Sequence, residues 1–130
     1  METLEPLGRE LVTFGLNDRA DFYARNIRRS GASSTFDIYY HGRLFTSVTL
    51  HVPGMHNVKN ALAATAACLC LGVRPNAVKY GLAGFTGAGR RFEFKGKYNG
   101  ADIYDDYAHH PQELKALLDA VDPLGHNRTV

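Results

Sequence analysis

Three short groups of polar residues in this 130-residue chain have the types and the spacing that chemistry requires, and the first is His56-Asn57-x-x-Asn60. His56 and Asn60 are four residues apart, so they share a face if the segment is helical. An asparagine amide offers both a donor and an acceptor, which match the polar edge of adenine. The alternative is that His56 and Asn57 only cap the helix, and the residues by themselves favour that simpler role.

The second group, Gly87-Ala88-Gly89-Arg90-Arg91-Phe92-Glu93, places two arginines directly after a glycine-rich joint. Paired guanidinium groups can bind a phosphate or a ribose. An exposed basic turn without a ligand is equally compatible with the pattern. The segment lacks the G-x-G-x-x-G spacing of a dinucleotide fingerprint, and the chain has no G-x-x-x-x-G-K-[ST], so no segment of it cradles a triphosphate in the usual way.

The third group, Asp105-Asp106-Tyr107-Ala108-His109-His110-Pro111, joins the end of a predicted strand to the start of a predicted helix. Ligands of α/β sheets bind at the carboxyl ends of strands, which makes this a favoured place for a site. Two acids and two histidines could bind a metal, orient a ribose or transfer protons. A purely structural role is also open. A zinc site is not expected, because no thiolate or third histidine is near in sequence.

Composition indicates a globular domain without a tail or a membrane segment. Hydrophobic residues make up 45% and charged residues 22%, with a net charge of +2 and no long run of one charge, which excludes a nucleic-acid-binding arm. The longest weakly polar run, 61–73, is far shorter than the roughly 20 residues of a bilayer span. Residues 1–10 do not have the pattern of a signal peptide, and Cys68 and Cys70 are read as small hydrophobic residues. We therefore expect a cytoplasmic protein.

Hydrophobic patterning predicts two β-hairpins that position these groups. Residues 35–51 alternate in hydrophobicity around the turn His41-Gly42, and Asn99-Gly100 is a strong turn signal inside 91–106. A short strand is expected at 11–15, whereas 21–29 could be a strand or a helix.

Three helices are predicted between and after the hairpins. The alanine-rich segment 56–71 should be helical and end at Gly72, and a second helix is expected at 75–83. A third helix begins at Pro111. Its apolar residues fall at i, i+3, i+4 and i+7 and predict a core-facing side: Leu114, Leu117, Leu118 and Val121. Residues 128–130 have the character of a strand that is just beginning, so the chain reads as cut at its C-terminus.

Together these residues resemble the Mur ligase family, the ATP-dependent amino-acid ligases of peptidoglycan synthesis. The resemblance begins at Phe14-Gly15 and is dense in three segments: Gly54-x-His56-Asn57-Val58-x-Asn60-Ala61, Phe85-x-Gly87-x-x-Arg90-Arg91-Phe92-Glu93, and Asp105-Asp106-Tyr107-Ala108-His109-His110-Pro111-x-Glu113. Within the family, the last two segments favour members that add L-alanine to UDP-N-acetylmuramate over the ligase that recycles murein tripeptide. A non-catalytic nucleotide-binding or interaction module is the alternative of a different class.

The resemblance implies an α/β fold that spans two partial domains. Residues 1–88 would be the C-terminal part of the P-loop-type central ATP-binding domain, a β-hairpin plus a helical pair. Residues 89–130 would be the start of the Rossmann-like C-terminal domain. The P-loop and a UDP-binding domain would precede residue 1 in a complete enzyme, so this chain alone is expected to be inactive.

The resemblance also implies cofactors, partners and roles. ATP and Mg²⁺ would be the cofactors, and UDP-N-acetylmuramate and L-alanine would be joined through an acyl phosphate, without nucleic acid or membrane insertion. The residues expected to bind the nucleotide are His56, Asn57 and Asn60 at the adenine, Arg91 and Arg90 at the interdomain joint, and Asp106 at the ribose. His109 would lie near the reacting end as the catalytic residue. Tyr107 and His110 are weaker candidates, and no metal ligand is assigned.

Overall fold

The larger sheet has four strands in the order β1-β2-β3-β4, in a computed structural model that describes residues 11–130. The strands are β1 (Phe14–Gly15), β2 (Phe22–Ser30), β3 (Ser33–Tyr40) and β4 (Arg43–Leu50). β1 is parallel to β2, and the other neighbours are antiparallel. The segment 21–29, for which the sequence left helix and strand open, is therefore a strand.

The hairpin predicted at 35–51 is confirmed. His41 and Gly42 have φ angles of 46° and 78°, and two positive φ angles define the turn whose twist matches that of the flanking strands. Alternate residues of β3 and β4 are buried on one face, as period-2 patterning requires: Ser34, Phe36, Ile38, Thr46, Val48 and Leu50.

Helix α1 (Met55–Cys70) packs on that buried face and is followed by α2 (Pro75–Ala83). Val58, Ala61 and Leu62 of α1 are each at most 3% exposed in the core. The predicted end of α1 is confirmed, because Gly72 has a φ of 76° and its N–H donates to the Leu69 carbonyl at 2.8 Å. These buried residues thus fix α1 against the sheet.

The remaining elements are the two-stranded antiparallel sheet of β5 (Glu93–Tyr98) and β6 (Ala101–Asp105), and then α3 (Pro111–Val121) with a 3₁₀ turn at Asp122–Leu124. The turn predicted at 99–100 has positive φ at both residues. β5 begins at Glu93 and not at residue 91, because Arg90 and Phe92 have φ angles of 56° and 50° that interrupt an extended backbone.

Two predictions for the C-terminal part are wrong. Leu114 and Leu118 are 45% and 55% exposed, and the side of α3 that is buried carries Ala120, at 1% exposed. α3 approaches the start of α1 through this small residue, so Leu114 and Leu118 are left toward solvent, whereas Leu117 and Val121 of the predicted face are partly buried. Residues 128–130 form no strand, since a strand needs a paired neighbour and they pair with none of the described residues. Among residues 11–130, no helix has the length and hydropathy to cross a bilayer.

Candidate functional site

A cleft of about 1260 Å³ lies between the start of α1 and the segment that leads into β5, β6 and α3. Five of the seven site residues predicted from the sequence line it: His56, Asn57, Asn60, Arg91 and Asp106. The structure therefore brings together residues that are up to 50 positions apart in the chain. Apolar side chains form much of the remaining wall, including Val52, Leu82 and Phe85, so a flat apolar ring with polar edges fits this space.

The first turn of α1 holds the two asparagines in place. Asn57 Nδ2 donates to the Pro53 carbonyl at 2.7 Å, and Asn57 Oδ1 accepts from Asn60 Nδ2 at 3.3 Å. Gly54 is the N-cap residue, and no side chain caps the helix. The capping role considered from the sequence is therefore not what the structure shows. Asn60 is exposed, and its amide retains hydrogen-bonding capacity for a ligand.

The His56 ring lies directly over Gly54. A Cβ atom on Gly54 would be 2.5 Å from His56 Cε1 and 3.2 Å from the Ala120 Cβ atom, and the φ angle of Gly54 is +94°. Only glycine combines that backbone conformation with so close an approach. The His56 ring, although exposed, therefore lies against the backbone at the start of α1.

The pKa of His56 is lowered, chiefly because the surrounding protein removes water from the charged imidazolium. The Asp106 carboxylate acts in the opposite direction, and the positive charge of Arg91 adds to the lowering. His56 therefore favours the neutral imidazole, which has one donor and one acceptor nitrogen to offer a heterocyclic base. The same interactions show that His56, Asp106 and Arg91 lie within electrostatic reach of one another.

Asp106 follows β6 directly and is half-buried. Its Oδ2 accepts the backbone N–H of Phe92 at 2.8 Å, and its Oδ1 accepts the backbone N–H of Ala108 at 2.7 Å. A carboxylate can accept about four hydrogen bonds, so two positions remain for the hydroxyl groups of a ribose. Asp106 therefore has a structural task in addition to the binding role that the sequence predicts.

The charge in the cleft is mixed. Arg91 is exposed and is the only lysine or arginine among the described residues that line it, while Glu93 and Glu113 supply negative charge. Among residues 11–130, no group of three histidine, cysteine, aspartate or glutamate side chains could hold a metal ion. The cleft thus offers amide, imidazole and carboxylate groups and one guanidinium group to a ligand, and the described residues do not by themselves form a Mg²⁺ site.

The structure places Arg90 and His109 outside the cleft lining. The Arg90 guanidinium lies over the Tyr107 ring at 4.6 Å from its centroid. His109 Nδ1 is 2.9 Å from the Tyr107 carbonyl oxygen. These residues form a second group, which we call the Tyr107 cluster: Asp105, Arg90, Tyr107 and His109.

Glu113 has a role that the sequence reasoning did not assign. Its Oε2 accepts the backbone N–H groups of His109 and His110, both at 3.2 Å, in a capping box at the start of α3. These backbone hydrogen bonds are the main reason that the pKa of Glu113 is lowered. The pattern is hard to detect because His110 occupies the cap position, where the capping box usually has serine or threonine.

Family models match both parts of the chain. The description "Mur ligase middle domain" applies to residues 1–68, and "Mur ligase, glutamate ligase domain" applies to residues 90–130.

Several relatives that are similar over most of the chain share a name. UDP-N-acetylmuramate–L-alanine ligase of Salinibacter ruber is 47% identical over 112 residues, which cover 86% of this chain and 24% of that protein. The ligase of the same name from Agathobacter rectalis is 43% identical over 130 residues and 99% of this chain, against 28% of its own length. The chain thus spans about a quarter of the length of the curated relatives it matches.

Solved structures with two different names also match this chain. The UDP-N-acetylmuramate-alanine ligase of Thermotoga maritima matches with a TM-score of 0.75 and 34% identity, covering 87% of this chain and 26% of that one. MurF from Acinetobacter baumannii matches with a TM-score of 0.76 and 30% identity, covering 86% of this chain and 24% of that one. The fold over 86–87% of this chain is therefore also present in these two structures.

Proposed function

Because the chain belongs to the Mur ligase family, we propose that a complete ligase containing it joins L-alanine to the carboxylate of UDP-N-acetylmuramate with the use of ATP. The support for this choice within the family is the shared name of relatives that are 40–47% identical over 86–100% of the chain. The proposed setting is peptidoglycan precursor synthesis in the cytoplasm.

The reaction needs activation because a carboxylate is a poor acyl donor to an amine, hydroxide being a bad leaving group. When bound, ATP supplies the phosphoryl group that turns the muramoyl carboxylate into an acyl phosphate, from which the L-alanine amine can displace phosphate. The contribution of this chain is to bind and orient the nucleotide, which is where such transfers gain most of their rate.

The observation that carries the proposal is the convergence of two distant segments on one cleft. In the proposed site, His56, Asn57 and Asn60 contact adenine. Arg91 pairs with a phosphate through its guanidinium group, and Asp106 accepts hydrogen bonds from the ribose. The two sides of the cleft come from α1 and from the segment around β5 and β6, so bound nucleotide would join them.

Three further parts of the proposal come from the family resemblance. Mg²⁺ would neutralise phosphate charge with ligands outside the described residues. His109 would act near the reacting end. The domain division would lie between residues 88 and 89, within the stretch from Phe85 to Phe92 that has neither helix nor strand.

Phosphate release by a complete ligase containing this chain tests the proposed function. We expect turnover that requires ATP, UDP-N-acetylmuramate and L-alanine together, at about 1 s⁻¹ or more. The matched control replaces L-alanine by murein tripeptide at the same concentration. Turnover with tripeptide and not with L-alanine would assign the recycling reaction instead. ATP-independent product formation would remove the nucleotide from the proposal.

A further inference from the structure

Two adjacent arginines, Arg90 and Arg91, occupy different environments. Arg91 lines the cleft, whereas Arg90 has a φ of 56° and its side chain packs on the Tyr107 ring. The left-handed backbone at Arg90 therefore separates two side chains that the sequence presents as a pair. The family resemblance assigned both to the nucleotide, but only Arg91 has access to the cleft in this structure.

Arg90 is fixed through its backbone as well as its side chain. Its N–H donates to Glu93 Oε2 at 2.8 Å, and its carbonyl accepts the Tyr107 N–H at 2.9 Å. Its Nε is 3.7 Å from Asp105 Oδ2, and the guanidinium plane contacts the Tyr107 ring. A guanidinium can stack on an aromatic face and pair with a carboxylate at the same time, which an ammonium group does less well.

Tyr107 contacts His109 through both its ring and its backbone carbonyl. The two rings are 5.2 Å apart in an edge-on arrangement, and the Tyr107 carbonyl oxygen is 2.9 Å from His109 Nδ1. Because a carbonyl only accepts, the proton must be on Nδ1 for this hydrogen bond. In the neutral ring, Nε2 is then the unprotonated nitrogen, available as a base or an acceptor.

We propose that Arg90 is a positioning residue, which holds Tyr107 and thereby orients His109 so that Nε2 is presented to the reacting groups, and that it does not bind the nucleotide. The proposal rests on the proposed function for the identity of those reacting groups. The arrangement itself depends only on the Tyr107 cluster and on the capping of the His109 N–H by Glu113.

The first test is independent of activity and uses the 130-residue chain. The probes are the imidazole proton signals of His109 and the affinity for ATP, measured by NMR titration. Arg90→Ala should shift the His109 signals, because the adjacent Tyr107 ring loses its support, and should change the dissociation constant for ATP less than about twofold. Arg91→Ala should leave the His109 signals in place and weaken ATP binding about tenfold or more, as expected for a lost charge-assisted contact.

The backbone amide spectrum shows whether Arg90→Ala is folded. If it is not, Arg90→Lys replaces it, since Lys keeps the charge near Asp105 but loses the planar stack. Unchanged His109 signals in a folded Arg90 variant would overturn the proposal. If the Arg90 variant loses as much ATP affinity as Arg91→Ala, the proposal is also overturned, and Arg90 is then a nucleotide-binding residue.

The second test measures both variants in a complete ligase containing this chain. Arg90→Ala should lower kcat about tenfold or more at saturating ATP, because misplacing a reacting group by a fraction of an ångström is costly, with the KM for ATP nearly unchanged. Arg91→Ala should raise the KM for ATP. If the unsubstituted enzyme shows no L-alanine-dependent turnover, the proposed function fails, whereas the NMR result still decides the role of Arg90.

Discussion

Asp106 Oδ2 accepts the backbone N–H of Phe92 at 2.8 Å, a contact that spans 14 residues of sequence. The other oxygen accepts the N–H of Ala108 at 2.7 Å. One carboxylate thus joins the start of β5 to the segment after β6 and fixes the backbone next to Arg91. Asp106, which is proposed to bind the ribose, therefore also fixes the backbone beside Arg91. Nucleotide binding and the local backbone conformation depend on this one side chain.

Asp106→Asn should therefore lower stability as well as nucleotide affinity. An asparagine has one amide oxygen, so its NH₂ group must face either the Phe92 or the Ala108 N–H, and one backbone donor loses its acceptor. We expect the free energy of unfolding to fall by about 1.5–3 kcal/mol, the usual cost for a hydrogen bond to a charged group. Urea unfolding and ATP titration of the same samples measure both effects.

Asp105→Asn is the matched control, one residue earlier in the same segment. Its carboxylate has a 3.7 Å ion pair with the exposed Arg90, and such pairs contribute little. The change in unfolding free energy should stay within about 0.5 kcal/mol, and ATP affinity should be unaffected. If Asp105→Asn is the more damaging of the two, the structural role assigned to Asp106 is wrong.

The features that could be predicted from sequence are those with local causes. His41-Gly42 and Asn99-Gly100 specify their turns through the φ angles that they adopt. The end of α1 follows from Gly72, which adopts the left-handed conformation of a C-terminal cap. The cleft residues could also be named, because their types match a nucleotide and the resemblance supplied their grouping.

The features that could not be predicted depend on contacts between distant residues. The apolar period of α3 indicated its leucines as the buried side, yet Leu114 and Leu118 are exposed and the fully buried residue is Ala120, which lies close to Gly54. The separation of Arg90 from Arg91 depends on a positive φ angle at a non-glycine residue, for which the sequence has no signal. Packing against distant elements decides both outcomes.

Gly54→Ala should disturb the adenine side of the cleft. The new Cβ would be 2.5 Å from His56 Cε1 and 2.7 Å from Nδ1, so the ring must move, and the φ of +94° adds backbone strain. The exposed His56 ring can rotate away, but the Ala120 Cβ atom at 3.2 Å must also yield, so we expect a cost of about 1 kcal/mol beyond the strain, at the low end for overpacking. Thermal or urea unfolding measures the loss, and the signals of the His56 ring report its displacement.

Gly72→Ala separates the two contributions. Gly72 has a comparable φ of +76°, but a Cβ there meets nothing within 4 Å. It should therefore show the strain alone, and ATP affinity should be retained. Equal stability losses at Gly54 and Gly72 would mean that the close approach of His56 carries no energetic weight.

The lowered pKa of His56 predicts a pH dependence of stability. The unfolded chain has the ordinary histidine value of about 6.5, and the folded chain binds the proton less readily. Between the two pKa values the unfolded state holds more protons, so stability falls as the pH drops from above 6.5 toward the folded pKa. The free energy of unfolding should decline in the order pH 7.5, 6.5 and 5.5, three values spaced about one unit apart around that reference.

His56→Gln should remove part of that decline, while His51→Gln, at another cleft-lining histidine, should preserve it. Asp106→Asn offers a check of the sign. The Asp106 carboxylate opposes the lowering of the His56 pKa, so its loss should make the decline steeper. A slope that is identical in the parent chain and His56→Gln would show that His56 does not titrate in this way.

Trypsin should cleave the chain first after Arg90 or Arg91. Residues 84–91 are exposed and lie between α2 and β5 without regular structure. Exposed segments outside helices and strands are preferred sites of proteolysis, and here only the few local hydrogen bonds of Arg90 and Arg91 have to open. Bound ATP should slow this cleavage, because Arg91 lines the cleft and the proposed contact with phosphate would hold it in place. Mass spectrometry of a time course identifies the first cut.

Lys59 provides the internal comparison, since it is exposed but lies within α1. Cleavage there requires the helix to unwind from a core that contains its neighbours Val58 and Ala61, so it should follow global unfolding and not local opening. A first cut at Lys59 would contradict preferential local opening of the segment 84–91. If the rate of cleavage at 90–91 is the same with and without ATP, Arg91 does not contact the nucleotide, because a residue that contacts bound phosphate must become less accessible to the protease.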